Sequence, residues 1–196
     1  DKLQVVLMQM VRLVRDGEIV KASKRSGKAI TLVTLLDEVP VDAARFLFNS
    51  YEANTRIDFD LDLAVQQDSQ NPVYYVQYAH ARICSILKNL AADGIQPREC
   101  GAQELSRLTA PEELELIRHL SSYTGEVQAA AKGMDPSKIT RYVMNLSTLF
   151  HKFYNACRVK GSDEALQAAR LYLCTATRTV LENGLELFKV TAPESM

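Results

Sequence analysis

The sequence has 196 residues, 47% hydrophobic and 24% charged, with 23 Lys and Arg against 24 Asp and Glu for a net charge of −1. That composition supports a buried core and excludes a disordered chain. It also excludes a globally basic nucleic-acid binder, so any such contact must come from local groups of Lys and Arg.

The chain opens DKLQVVLMQM without an initiator Met, as expected of a piece of a longer protein. Residues 5–14 (VVLMQMVRLV) read as a strand, Asp16-Gly17 as a hairpin turn, and Glu18 to Lys21 as the return strand, because Gly accepts the positive φ such a turn demands. A polar, basic loop, KASKRSGKA, follows. TLVTLLDEV (31–39) is predicted to be a short helix ended by Pro40, with Asp42 as N-cap of the next helix. Asp58, Asp60 and Asp62 alternate with Phe59, Leu61 and Leu63, which predicts a short extended connector with its apolar side inward. A domain boundary is expected near Asp68, dividing the chain into residues 1–68 and 69–196.

Beyond it, helical periodicity dominates. Asn71-Pro72 is a start signal for a helix whose Val73, Val76, Ile83, Leu87 and Leu90 form one apolar stripe, and Gly94 stops it. Thr109-Ala110-Pro111-Glu112 reads as a capping box opening a helix with Leu114, Ile117 and Leu120 inward. Asp135-Pro136 starts a helix expected to run to about Gly161. Ser162 is expected to cap the last long one, with Leu166, Ala169, Leu173 and Val180 inward. The predicted fold is mainly α: a small β-hairpin and helix region, then a bundle of five or six helices. Cys84, Cys100, Cys157 and Cys174 form no CxxC pair and no zinc spacing with His, so free thiols and no metal are expected. No run approaches the roughly 20 apolar residues of a membrane span.

Three groups of residues carry candidate chemistry. Lys21, Lys24, Arg25 and Lys28 crowd together beside Ser23 and Gly27; such a loop either sits in solvent or folds over polyphosphate. Tyr74, Tyr78 and Arg82 recur every four residues and share a helix face. They are either rim aromatics of the core or a platform for unstacked bases. Tyr154 and Arg158 form a second such pair, with Asn155 beside them, in a segment (135–160) holding five cations against Asp135 alone. His80 is expected to make a structural hydrogen bond and His151 to touch phosphate.

KASKR resembles the KMSKS loop of class I aminoacyl-tRNA synthetases, with Ala22 in place of the usual Met and Arg25 in place of the final Ser. DFDLDLA (58–64) and NPVYYVQYAHAR (71–82) resemble bacterial arginyl-tRNA synthetases, as do LLDEVPVDAARF (35–46), FYNACRV (153–159) and the closing APESM. The likeness covers essentially the whole chain. It implies that residues 1–68 end a catalytic domain and that residues 69–196 form an α-helical anticodon-binding domain of the DALR type, whose name-giving stretch is here Glu164-Ala165-Leu166-Gln167. Lys24 and Lys21 would then hold the phosphates of ATP, used with Mg2+, and Ser23 would shape the loop. Tyr78, Arg82, Tyr154, Asn155, Arg158 and Met196 would contact the arginine tRNA. No HxGH element occurs, so this part is expected to depend on a missing N-terminal catalytic portion and to be inactive alone. A cytoplasmic monomer is the corresponding expectation. The alternatives are the equivalent fragment of another class I synthetase, such as the cysteinyl enzyme, and a helical protein-interaction module that binds no RNA.

Overall fold

The computed structural model describes residues 3–20, 31–161 and 163–196. The chain is mainly helical, with a three-stranded sheet near its start. β1 (Val11–Arg15) and β2 (Glu18–Ile19) form the expected hairpin, and Asp16 and Gly17 at its tip have φ of 51° and 76°. These positive values suit a two-residue turn whose twist matches the flanking strands. β3 (Ile57–Asp60) joins β1 in parallel, pairing Val11 with Ile57 and Leu13 with Phe59.

The strand expected over residues 5–14 is shorter than its letters suggest. Only Val11 onward finds a ladder; residues 3–10 are irregular and exposed. Gln9 N–H donates to the Ala53 carbonyl at 2.8 Å, but one isolated bond is not a ladder, and apolar composition alone cannot make a strand without one. The three alternating aspartates take separate partners. Asp58 binds Arg12 through two bonds of 2.6 and 2.7 Å. Asp60 caps α3 (Leu61–Val65), and Asp62 accepts the backbone N–H of Asp16 at 2.6 Å.

α1 (Leu32–Glu38) and α2 (Val41–Phe48) lie between β2 and β3. Asp42 does not cap α2 as expected: Pro40 holds that position, and the Asp42 carboxylate turns to residues far along the chain. α4 (Pro72–Ala92) starts at Asn71, whose side chain accepts from Val73 N–H, and all five residues of its predicted stripe are buried. α5 (Ala102–Leu105) is a single turn.

The next stretch breaks where one helix was expected, into α6 (Pro111–Ser121) and α7 (Tyr123–Gly133). The cap of α6 is Ala110. Glu113 reaches back to the Ala110 N–H at 2.8 Å, so only half of a capping box exists, one residue later than expected. Leu114 is exposed, and the inward face belongs to Glu113 and Leu116, with Ile117 and Leu120 partly buried. α8 (Ser137–Ala156) is the central helix, touching α4, α6, α7 and α9 (Glu164–Glu186). α9 is capped by Asp163; Ser162 lies outside the described residues. Buried residues from Leu35 to Val190 make one continuous cluster. Gly184 lets α9 approach α8: a Cβ there would lie 2.4 Å from Val143 Cγ1.

Candidate nucleic-acid interface

Two long helices build the region. On α4, Tyr74, Tyr78 and Arg82 stand one turn apart, with Tyr75 beside them. On α8, His151 and Tyr154 face them. The Arg82 guanidinium carbon sits 4.5 Å from the centre of the Tyr154 ring, a cation–π distance. Its Nη1 donates to His151 Nδ1 at 3.4 Å. His151 packs edge-on to Tyr75 with ring centres 5.3 Å apart, and tilted to Tyr78 at 5.9 Å. Tyr75 also meets Thr148 Oγ1 through its hydroxyl at 3.3 Å, and Tyr154 stacks on the buried Phe150.

Burial, and then the Arg82 charge, pull the His151 pKa down to about 4. The ring is therefore neutral at pH 7 and serves as acceptor for Arg82. A neutral imidazole with its Nδ1 engaged has no charge to offer a phosphate, only the N–H of its Nε2. Tyr78 is 42% exposed, the largest aromatic surface on this face of α4.

The predicted pair of Tyr154 and Arg158 does not form as a helical pair. α8 ends at Ala156, and Cys157 is extended. Cys157 and Val159 point inward while Arg158 and Lys160 point out, the period-two alternation of extended chain. Arg158 instead lines a concavity of about 510 Å3 with Tyr154, Asn155, Lys160 and the end of α4. This turn is pinned from beneath: Arg170 Nη1 donates to the Arg158 carbonyl at 2.8 Å, and Arg170 Nε binds the buried Glu113 at 2.6 Å. Lys160 pairs with Asp93 at 2.6 Å.

Met196 lies at the other end of α4. It lines a cavity of about 600 Å3 with Tyr74, Gln77, Val41, Val65 and Pro193. The structure thus brings Tyr78, Arg82 and Tyr154 together, sets Asn155 and Arg158 alongside through Tyr154, and leaves Met196 on the separate cavity that Tyr74 also lines. Lys21, Ser23 and Lys24 lie outside the described residues.

Several structural partners are absent from any local pattern. His80 is buried and bonds the Pro193 carbonyl through Nδ1 at 2.9 Å, the structural bond expected of it. His119 and Tyr142 stack with ring centres 4.2 Å apart and exchange side-chain to backbone bonds of 3.0 and 2.7 Å. All four cysteines are free. Among the described residues no group of three or more His, Cys, Asp or Glu is arranged to hold a metal ion, and no helix is long and apolar enough to cross a membrane.

Comparison with known proteins bears on this arrangement directly. Arginine–tRNA ligase of Ruminiclostridium cellulolyticum is 53% identical over 196 residues, covering 100% of this chain and 35% of its own length. That of Acetivibrio thermocellus is 50% identical over the same shares. The solved Thermus thermophilus arginyl-tRNA synthetase superposes with a TM-score of 0.75 at 27% identity, over 94% of this chain and 34% of that one. The chain therefore spans about a third of the length of the curated relatives it matches. The model of the DALR anticodon binding domain matches residues 76–196, which take in α4 from its second turn, both helices of the aromatic cluster and the terminal tail. The chain belongs to the DALR anticodon binding domain family.

Proposed function

We propose that this chain is the tRNA-recognising part of an arginine–tRNA ligase, and that residues 69–196 grip the anticodon loop. The observation that carries this reading is the cluster of Tyr78, Arg82 and Tyr154, contributed by two helices and partly open to solvent. An unpaired loop offers flat bases, and a Tyr ring or a guanidinium plane stacks on any of them. Tyr78 supplies the open ring. Arg82, held by His151 and Tyr154, supplies charge near the backbone. Asn155 presents an amide to a base edge, and Arg158 meets phosphate across the adjoining concavity. Met196 packs on a nucleotide at the Tyr74 end.

In the same proposal, residues 1–68 close a catalytic domain completed by an N-terminal portion. The whole enzyme would join arginine to its tRNA with ATP and Mg2+, with Lys24 and Lys21 on the phosphates and Ser23 shaping the loop. That part is supported by the KASKR motif and by the names of the relatives. The enzyme is proposed to act as a cytoplasmic monomer.

The test is affinity of the chain for an arginine tRNA and for the same tRNA with its anticodon replaced, at two salt concentrations. Stacking and base-edge contacts are each worth about 1–3 kcal/mol, so replacement is expected to weaken binding by roughly tenfold or more. Both affinities should fall as salt rises. Equal affinity for the two tRNAs would overturn the reading.

A further inference from the structure

The last residues of the chain are held down by contacts that bridge more than a hundred positions of sequence. Asp42, in the first turn of α2, accepts from the Thr191 backbone N–H at 3.1 Å and from the Thr191 hydroxyl. It also accepts from Gln77 Nε2 at 3.0 Å. Gln77 in turn donates to the Thr191 carbonyl at 2.9 Å. On either side, Arg45 Nη1 donates to the Lys189 carbonyl at 2.6 Å and His80 Nδ1 to the Pro193 carbonyl at 2.9 Å. The tail leaves α9 through Lys189, whose φ is 55°, a left-handed turn that reverses the chain.

We propose that Asp42, with Gln77 and His80, is a positioning group for RNA binding: it latches residues 189–193 onto α4 so that Met196 is kept beside Tyr74. The inference rests on the anticodon-binding reading above. Three acceptor bonds to one carboxylate are charge-assisted and directional, whereas a terminal segment without such ties is ordinarily poorly ordered. The latch also joins α2, which precedes the family match, to the helix that carries Tyr78 and Arg82. Asp42 touches no RNA in this scheme; it acts through the tail.

Two measurements on the whole chain test this. Amide hydrogen exchange reads the latch itself: Asp42→Ala is expected to speed exchange at Thr191 by at least about tenfold while leaving the middle of α4 protected. Binding of arginine tRNA reads its purpose. Asp42→Ala should weaken affinity roughly tenfold in the full chain, yet change it less than about twofold in a chain ending at Val190. Thr191→Val, which spares α2 and removes the hydroxyl that Asp42 accepts from, should lower the affinity of the full chain in the same direction and guards against a fold defect in the first variant. Unchanged exchange at Thr191, or an equal loss of affinity with and without the tail, would overturn the proposal. If the unmodified chain bound no tRNA, the positioning role would fall together with the anticodon reading, while faster exchange would still establish the latch.

Discussion

Lowering the pH from 7 to 5 should destabilise this protein through His151. The ring sits between Tyr75, Tyr78 and Phe150 and accepts from Arg82. Burial first, and the guanidinium second, hold its pKa at about 4 against an ordinary 6.5. Between those values the unfolded chain binds a proton that the folded chain refuses, so stability rises with pH in this window and is lost as pH falls through it. A fully enclosed ring displaced that far would be worth at most about 3 kcal/mol. His151 is only partly buried, and solvent screening together with the two-unit window reduces the expected loss to about 1 kcal/mol. Urea unfolding at pH 7, 6 and 5 measures it. Other groups titrate too, so the control is His151→Gln, which can still accept from Arg82 but carries no proton. The parent should lose about 1 kcal/mol more than this variant over the range. Parallel profiles, or a His151 ring that titrates at 6.5 or above by NMR, would refute the reasoning.

Two further predictions concern the frame that holds the interface. Gly184→Ala places a methyl 2.4 Å from Val143 Cγ1 and should cost about 1–3 kcal/mol in urea unfolding, outweighing a helix-propensity gain of about 1 kcal/mol; adding Val143→Ala should recover part of the loss, and an unchanged midpoint would show that α8 and α9 are not in close contact there. Glu113→Ala leaves the half-buried Arg170 without its carboxylate and should cost about 3 kcal/mol, whereas the double replacement Glu113→Leu with Arg170→Met should cost less; equal losses would contradict the view that the pair matters through desolvation.

Much of the helical frame was legible because helical periodicity is local. Val73, Val76, Ile83, Leu87 and Leu90 recur at intervals of 3, 7, 4 and 3 residues, the spacing of one helix face, and are all buried, and Asn71 with Pro72 marks the start of α4 where it occurs. What the sequence hid depends on partners distant in the chain. Asp42 has the letter of a cap, but Thr191 and Gln77 offer its carboxylate three donors, and a tertiary site with that many donors outcompetes one backbone N–H. Arg82 was read with Tyr78 on its own helix, yet its ring partner is Tyr154 on α8. Glu113 has no local sign of burial; its counter-ion, Arg170, lies 57 positions away. The end of α8 is hidden for another reason. The alternation of Cys157 and Val159 with Arg158 and Lys160 signals extended chain, but it spans only four residues and was overridden by the longer helical run before it.

Chemical footprinting of an arginine tRNA bound to this chain tests the central claim most directly. The account predicts protection of the anticodon-loop bases, reduced by Tyr78→Ala and by Arg82→Ala in chains that keep their thermal midpoint. Protection confined to other arms of the tRNA, or a loop footprint that neither substitution alters, would contradict it.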